Sequence, residues 1–171
     1  MKIEDGSVRI GPLDPRHDRR AFACGNAILD RYLREQASQD LRRGVARVFV
    51  ATSIDAPTRI MGFFTLSAAS VVATDLPAEV ARRLPRHPIP AALVGRLAVD
   101  LGFTRRGLGG IMLADAVKRT MAAAETVAMT VLVVDPIDET ARAFYAAFGF
   151  RDLQGPEQRM FLPLVRGAHP A

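Results

Sequence analysis

A short glycine and arginine segment carries the chemistry that is easiest to read in this sequence. Residues 105–110 are Arg-Arg-Gly-Leu-Gly-Gly, between an apolar run and a predicted helix. Glycines let a backbone turn without a Cβ clash and approach a ligand closely. The first N–H groups of a helix lack intrahelical partners and carry the positive end of its dipole. The segment therefore predicts an anion site suited to a pyrophosphate, although a tight turn without a ligand would use the same glycines.

Two common nucleotide-binding loops do not fit this segment. A Gly-x-x-x-x-Gly-Lys-Ser/Thr loop needs a Lys-Ser or Lys-Thr pair, and the sequence contains neither. A dinucleotide fingerprint places Gly-x-Gly-x-x-Gly near the first strand. Here the loop reads Gly-x-Gly-Gly and lies in the second half of the chain. Both nucleotide-binding readings are excluded.

Tyr145 is the candidate for proton transfer. It lies in the run Phe-Tyr-Ala-Ala-Phe-Gly-Phe at residues 144–150. An amphipathic helix with aromatic core residues explains the phenylalanines, but a buried phenol needs a hydrogen-bond partner. Tyrosine can also act as a general acid toward a thiolate. Two roles stay open from the residues alone, a core anchor and an acid.

The order of these motifs resembles the GNAT superfamily of N-acetyltransferases. The resemblance implies an α/β fold with a mixed, mostly antiparallel central sheet flanked by helices, in which a splayed strand pair forms the acetyl-CoA cleft. It also implies that Tyr145 protonates the CoA thiolate. The family has Gln or Arg where this chain has Thr104, so one side-chain contact departs from the pattern. The implied acetyl-CoA residues are Leu97, Ala98 and Val99 for the pantetheine arm, and Thr104, Arg105, Arg106, Gly107, Leu108, Gly109 and Gly110 for the pyrophosphate.

A narrower resemblance covers nearly the whole chain and points to the toxin branch of that superfamily. It implies acetylation of the α-amine of aminoacyl-tRNA, a block of translation, and a ribbon-helix-helix antitoxin as partner. The oligomeric state stays open, with a homodimer as one option. Four separated parts carry the resemblance in order: Phe22-Ala23-Cys24-Gly25-Asn26 with Leu29-Asp30-Arg31-Tyr32-Leu33, then Gly62-Phe63-Phe64-Thr65-Leu66-Ser67, then Ile89-Pro90-Ala91 with Gly95-Arg96-Leu97-Ala98-Val99-Asp100, then Ala143-Phe144-Tyr145.

The charge of the chain suits a polyanionic partner. Lys and Arg total 23 against 18 acids, a net charge of +5, and only Lys2 and Lys118 are lysines. A codon bias would explain the preference for arginine but not the net charge. Arg96 interrupts an apolar strand and is read either as a substrate contact or as the partner of a buried carboxylate. The other candidate tRNA contacts form two clusters, Arg42, Arg43 and Arg47, then Arg82, Arg83 and Arg86.

Periodicity and capping residues predict the elements that must position these groups. Asn26 is an N-cap and Gly44 a C-cap for the first long helix, and Asp135 with Pro136 at the first position begins the helix of Tyr145. The faces read Leu108, Ile111, Met112, Ala116 and Met121 in one helix and Ile137, Ala141, Phe144, Tyr145 and Phe148 in the other. Strands are predicted at 7–13, 45–52, 59–72, 91–99 and 128–134, helices at 26–43, 77–84 and from 108 to about 124, and a final hairpin at 150–164.

Length and composition bound the class of protein. The chain has 171 residues with 49% hydrophobic and 24% charged, which indicates one globular domain over residues 1–171. Cys24 is the single cysteine, so no intrachain disulfide forms, and we expect a core role for it in a reducing compartment. No metal site is expected, because His17, His87 and His169 are scattered. No apolar run is long enough to span a membrane, which favours the cytoplasm.

Three functions are to be weighed. The first is the aminoacyl-tRNA acetyltransferase toxin. The second is a GNAT enzyme that acetylates a small amine or a protein N-terminus, which an acidic cleft would favour. The third is a non-catalytic RNA-binding module, for which an aromatic and arginine stacking platform would be expected. The chain has two tyrosines and no tryptophan, so it offers little material for such a platform.

Overall fold

Residues 1–164 are described by the computed structural model, which resolves five α-helices, seven strands and a π-helical turn among them. Helices and strands are interspersed along the chain, which makes this an α/β protein. Their bounds are β1 Val8–Pro12, α1 Ala27–Arg31, a π-helix Tyr32–Gln36, α2 Ala37–Arg43, β2 Arg47–Ser53, β3 Gly62–Val71, α3 Ala78–Ala81, β4 Ile89–Val99, α4 Leu108–Ala123, β5 Val131–Val134, α5 Glu139–Ala147, β6 Arg151–Asp152 and β7 Met160–Pro163.

One seven-stranded sheet contains all the strands in the order β1-β2-β3-β4-β5-β7-β6. The ladders β1–β2, β2–β3, β5–β7 and β6–β7 are antiparallel, and β4–β5 is parallel. The parallel ladder runs from Ala91↔Val131 to Val94↔Val134, and β4 then continues to Val99. This confirms the predicted mixed, mostly antiparallel sheet with helices around it.

The chain divides into two compact units. Unit 1 comprises residues 1–67 and 95–116, and unit 2 comprises residues 68–94 and 117 to the end of the described part. The strands β3 and β4 and the helix α4 each begin in one unit and end in the other. The expectation of a single domain over residues 1–171 stays a prediction, and residues 165–171 lie outside the described residues.

Unit 1 has an aromatic core between α1, the π-helix and strands β2 and β3. The rings of Phe22 and Phe63 meet edge to face with centroids 5.4 Å apart, and Tyr32 stacks on Phe63 at 6.2 Å. Aromatic pairs at these distances add stability beyond their buried area. Around them pack Leu13, Leu29, Leu33, Ala37, Val48, Val50, Ile60 and Ala98.

Unit 2 has its own aliphatic core around β5. All four residues of β5, Val131–Val134, are buried, as the apolar run at 128–134 predicted for a strand covered on both faces. The strand is shorter than that run, because Ala128–Thr130 precede the ladder. Its neighbours in the core are Val71, Ala73, Leu76, Ile89, Ala91 and Phe161.

The first long helix has the predicted extent and caps, with one irregular turn. The Asn26 side chain accepts hydrogen bonds from the N–H groups of Ile28 and Leu29, and Gly44 ends α2 with φ +68°. The π-helix Tyr32–Gln36 separates α1 from α2. Such an insertion widens the turn by one residue and shifts the faces of the helix on either side of it.

The beginning of the helix that carries Tyr145 was predicted wrongly. The helix α5 begins at Glu139, and Asp138 is its N-cap, with a side-chain oxygen that accepts from the Ala141 N–H at 2.8 Å. Asp135 forms an ion pair with Arg159 instead. Ile137 therefore lies before the helix and is 60% exposed. Either aspartate could cap a helix by type, so the residue types alone do not distinguish them.

Other boundaries also differ from the predictions. The strand β3 begins at Gly62 rather than residue 59, and β4 begins at Ile89 and includes Pro90. The helix α3 covers only Ala78–Ala81, and Pro77 is its N-cap rather than its first residue. Met121 and Phe148, predicted on buried faces, are 41% and 44% exposed. The hairpin predictions at 45–72 and 150–164 are confirmed as β2–β3 and β6–β7. Among the described residues no helix is long and apolar enough to cross a membrane.

Candidate functional site

The strand-to-helix turn of unit 1 is tightly wound. After β4 the chain makes a 3-10 turn at Leu101–Phe103, then reaches α4 at Leu108. Arg105 has φ +60° and Gly107 has φ +84°. A side chain in the left-handed region costs on the order of 1–3 kcal/mol, and such strain clusters at ligand-binding sites. The turn therefore stores strain where the sequence predicted an anion site.

The N-terminus of α4 offers its amides to a ligand. The Ile111 N–H donates to the Gly107 carbonyl at 3.2 Å and is the first donor of the helical pattern. The amides of Leu108, Gly109 and Gly110 precede it and have no intrahelical acceptor. A Cβ placed on Gly107 would meet nothing within 4 Å, so there is room above the turn. These donors and the helix dipole fit the pyrophosphate of acetyl-CoA.

The two arginines before the glycines have different surroundings. The Arg106 Nε donates to the Met1 carbonyl at 3.2 Å, and its guanidinium lies 5.7 Å from the centroid of the Phe103 ring. Arg105 is exposed, and within residues 1–164 its guanidinium makes no hydrogen bond or ion pair. Thr104 donates its hydroxyl to the Leu101 carbonyl. Of these three side chains, that of Arg105 is therefore the most available to a bound phosphate.

Asp100 organises the turn, a role that the sequence did not reveal. It is 3% exposed, and its carboxylate accepts from the Ala23 N–H at 3.0 Å and the Gly102 N–H at 2.9 Å. The Arg59 guanidinium also donates to it at 3.3 Å. Its own N–H donates to the Met61 carbonyl. One buried carboxylate thus ties two distant segments, at Ala23 and Arg59, to the start of the anion site.

We expect Asp100→Asn to lower the free energy of unfolding by roughly 1–3 kcal/mol. The amide replaces one acceptor oxygen with a donor, and at least one N–H that donates to the buried carboxylate then loses its partner. Chemical denaturation measures the loss, and Asp55→Asn, at an exposed aspartate, is the matched control. Equal stability of the two variants would contradict the role of Asp100.

The strand segment predicted for the pantetheine arm lies directly before this turn. Leu97 and Val99 are half-buried, and Ala98 is buried. A Cβ on Gly62 would lie 2.9 Å from the Ala98 carbonyl oxygen and 2.8 Å from the Met112 side chain. Gly62 is therefore required for β3, β4 and α4 to pack in unit 1. The motif at 62–67 is visible in the sequence, but this reason for its glycine is not.

Tyr145 is buried in unit 2, on α5. It is 5% exposed, and its ring meets those of Phe144 and Phe150 edge to face at 5.2 and 5.6 Å. Burial, and after it the nearby Asp135 carboxylate, raise the pKa of the phenol above its usual value. The hydroxyl therefore keeps its proton through the physiological range.

The hydroxyl of Tyr145 differs from that of Tyr32, the other tyrosine of the chain. The Tyr32 Oη donates to an Asp40 carboxylate oxygen at 2.8 Å. The Tyr145 Oη has no hydrogen-bond partner among the described residues, where no fully buried side-chain polar atom lacks one. The Tyr145 oxygen thus keeps contact with solvent although the ring is buried. A core anchor would not need that arrangement.

The arginine clusters are exposed as expected, one in each unit. Arg42 and Arg43 lie in the last turn of α2, where the negative end of the helix dipole stabilises a cation. Arg47 begins β2 in the same unit, whereas Arg82, Arg83 and Arg86 follow α3 in unit 2. All six are exposed, and they remain candidate tRNA contacts.

Arg96 is half-buried, and among the described residues it contacts no buried carboxylate. The Arg96 guanidinium lies 3.7 Å from the centroid of the Tyr32 ring, and the Arg96 backbone N–H donates to the Thr65 hydroxyl at 3.1 Å. Within the described part of the chain it forms no ion pair. The reading as partner of a buried carboxylate is therefore wrong.

The remaining polar candidates do not form a second centre. In residues 1–164 no group of three or more His, Cys, Asp or Glu side chains is placed to hold a metal ion. His169 lies outside the described residues. Cys24 packs against the core of unit 1. Burial, and after it the hydrogen-bonding Asp30 carboxylate, raise the pKa of its thiol to about 11. A thiol that stays protonated is a poor nucleophile.

The curated proteins that are similar to this chain include two toxins. The chain is 34% identical over 165 residues to a probable toxin TacT of Sinorhizobium fredii, with 91% of each chain covered. It is 39% identical over 133 residues to a tRNA-acetylating toxin of Mycobacterium tuberculosis, with 78% of each covered. This chain belongs to the GNAT toxin family. No protein-family model matches it.

Solved GNAT toxin structures share the fold. A tyrosine-to-phenylalanine mutant of KacT has a TM-score of 0.87 at 25% identity, covering 92% of this chain and 95% of its own. AtaT complexed with acetyl-methionyl-tRNAfMet has a TM-score of 0.86 at 26% identity, covering 91% and 94%. A tyrosine-to-phenylalanine mutant of AtaT, bound to the C-terminus of the antitoxin AtaR and acetyl-CoA, has a TM-score of 0.78 at 25% identity, covering 92% and 94%.

Proposed function

We propose that this chain is a toxin that transfers an acetyl group from acetyl-CoA to the α-amine of aminoacyl-tRNA and so blocks translation. The observation that carries the proposal is the Tyr145 phenol, which is protonated, held by aromatic neighbours and, within residues 1–164, without a hydrogen-bond partner. A general acid needs a proton and an unoccupied donor direction, and this residue has both. The names of the relatives agree with the assignment.

The chain supplies binding and proton transfer. Bound acetyl-CoA would supply the acyl group, and CoA would leave as a thiol. The amides of Leu108, Gly109 and Gly110, with the Arg105 guanidinium, hold the pyrophosphate, and the backbone of Leu97, Ala98 and Val99 holds the pantetheine arm. The side chains of Thr104 and Arg106 shape the turn around Gly107. Tyr145 donates its phenolic proton to the sulfur as the C–S bond breaks.

The attacking amine needs no strong base. The ester of an aminoacyl group withdraws electrons, so its α-amine has a lower pKa than a lysine amine. The amine proton can then pass to water as the C–N bond forms. This matches a chain whose sequence offers no clear histidine or carboxylate base. Holding the amine against the thioester also lowers the barrier, because the two reactants are then already in place.

The function is tested by acetylation with labelled acetyl-CoA. We expect label on charged tRNA and none on deacylated tRNA, because the α-amine is the acceptor. Spermine and a peptide with a free N-terminus serve as competing acceptors. Label on those amines alone would favour a GNAT enzyme for small amines or protein N-termini, and no transfer to any acceptor would favour a binding module.

The proposed partners follow from the same assignment. A toxin that acts on charged tRNA works in the cytoplasm, and an antitoxin must hold it inactive there. We assign that role to a ribbon-helix-helix antitoxin. A short open reading frame of that pattern directly upstream of the gene would support it.

The salt dependence of the reaction identifies the docking surface. Replacing Arg82, Arg83 and Arg86 with Ala is expected to raise the KM for charged tRNA and to flatten its dependence on salt. Removing one phosphate interaction lowers the log-log salt slope by up to about 0.9. Acetyl-CoA binding should not change. The control triple variant removes Arg9, Arg31 and Arg34, which are exposed to a similar degree. Identical salt slopes for both variants would show that tRNA docks elsewhere.

A further inference from the structure

Arg96 is an unusual residue in the strand that carries the proposed pantetheine site. It is half-buried within the apolar run of β4, directly before Leu97. Its guanidinium carbon lies 3.7 Å from the centroid of the Tyr32 ring, close enough for a strong cation–π contact. Among the described residues the guanidinium has no hydrogen-bond or ion-pair partner. A half-buried cation without an anion is expected to bind one.

Tyr32 is a fixed platform for that guanidinium. The side chain is 2% exposed, and its ring also stacks on that of Phe63 with an interplanar angle of 16°. Its Oη donates to the Asp40 carboxylate, which makes the ring more electron-rich and strengthens the cation–π contact. Tyr32 begins the π-helix, and such insertions are frequent at functional sites. Asp40, Tyr32 and Arg96 thus form a chain of contacts that ends on a cation.

We infer that Arg96 binds a phosphodiester at the 3′ end of the tRNA, with Tyr32 and Asp40 as positioning residues. The inference rests on the proposed function. Stacking covers a face of the guanidinium and leaves its in-plane N–H donors available, and their fork matches two phosphate oxygens. Because Arg96 directly precedes the strand segment assigned to the pantetheine arm, the nearest phosphate is one beside the aminoacyl ester. The contact therefore orients the reacting end rather than the tRNA body.

The test separates three contributions: the charge of Arg96, the fork of donors on its guanidinium, and the support that the Tyr32 ring gives it. Arg96→Ala is expected to raise the KM for charged tRNA about 10–100-fold, the loss of one or more charge-assisted hydrogen bonds. It should flatten the log-log salt slope by about 0.7, the value for one phosphate of a single strand. Arg96→Lys should keep the salt slope and still raise KM, since an ammonium lacks the fork. Tyr32→Phe should raise KM less than Arg96→Ala, with kcat and the Kd for acetyl-CoA unchanged.

Arg9→Ala, at an exposed arginine of β1, controls for the loss of one charge. A wild-type KM and salt slope in Arg96→Ala would overturn the inference, and so would a wild-type KM in Arg96→Lys, which would reduce Arg96 to a charge. A raised Kd for acetyl-CoA in Arg96→Ala would assign the guanidinium to a CoA phosphate instead and would also overturn it. If Arg96→Ala fails to fold, Arg96→Lys and Tyr32→Phe decide by the same readouts. Failure of the wild-type chain to acetylate any charged tRNA would contradict the proposed function, a separate result.

Discussion

Tyr145→Phe is expected to reduce turnover by roughly 10²–10⁴-fold, the usual range for loss of a general acid. The change removes one oxygen and keeps the ring between Phe144 and Phe150. Because the hydroxyl has no partner within residues 1–164, its removal leaves no orphaned donor or acceptor in the core. The fold and acetyl-CoA binding should therefore survive.

Single-turnover acetylation of charged tRNA measures the effect. Thr140→Val, which removes an exposed hydroxyl from the same helix, is the matched control and should keep wild-type turnover. Full turnover in a normally folded Tyr145→Phe protein would assign the acid to water or another residue. In cells, the variant should also relieve growth inhibition.

The pH dependence of stability gives an independent check on the buried phenol. Burial raises the pKa of Tyr145, so in the folded chain it ionises at higher pH than the value of about 10 in the unfolded chain. Its contribution to stability is therefore present below about pH 10 and is lost as the pH rises through the folded pKa. Denaturation curves of the wild type and Tyr145→Phe should diverge only above about pH 10, where the wild type weakens more.

Gly109→Glu is expected to remove acetyl-CoA binding while leaving the protein at least as stable as the wild type. Gly109 is the second residue of α4, so the new carboxylate would lie in the anion site and repel the pyrophosphate. Losing two charge-assisted hydrogen bonds would weaken binding by roughly 10²–10⁴-fold. The same carboxylate interacts favourably with the positive end of the helix dipole, which stabilises the folded protein by about 0.3–1 kcal/mol. Binding and stability should move in opposite directions.

Calorimetry with acetyl-CoA and thermal denaturation measure the two effects. Gly109→Ala separates bulk from charge, because it adds a Cβ without a carboxylate. Unchanged CoA affinity in Gly109→Glu would exclude the N-terminus of α4 as the pyrophosphate site. A large loss of stability would instead show that the glycine is needed for packing.

The sequence was sufficient where the deciding interactions are local. Asn26 and Gly44 cap the first helix as predicted, because a cap depends on residues within one turn. The apolar run ending at Val134 forms a buried strand. Its four ladder residues are all apolar, so none of their side chains favours a position in water. The glycine turn before α4 is recognisable for the same reason, as Gly107 does adopt positive φ.

Tertiary structure decided what depends on partners far along the chain. Asp135 and Asp138 are equivalent caps by type, but in the fold Asp138 accepts from the Ala141 N–H and Asp135 pairs with the distant Arg159. Asp100 holds the turn in place by accepting hydrogen bonds from Ala23 and Arg59. No rule of sequence spacing connects those two residues to it.

Arg96 shows the same division most clearly. The sequence indicated either a substrate contact or a buried carboxylate as the partner of Arg96, because a buried charge without a partner is costly. It could not indicate that Arg96 contacts the face of Tyr32, which lies far away in the chain and is held by packing and by its bond to Asp40. Local sequence determined the caps, the turns and the need for a partner. Long-range packing determined which residue each partner is, because contacts between distant residues form only where the fold brings their side chains together.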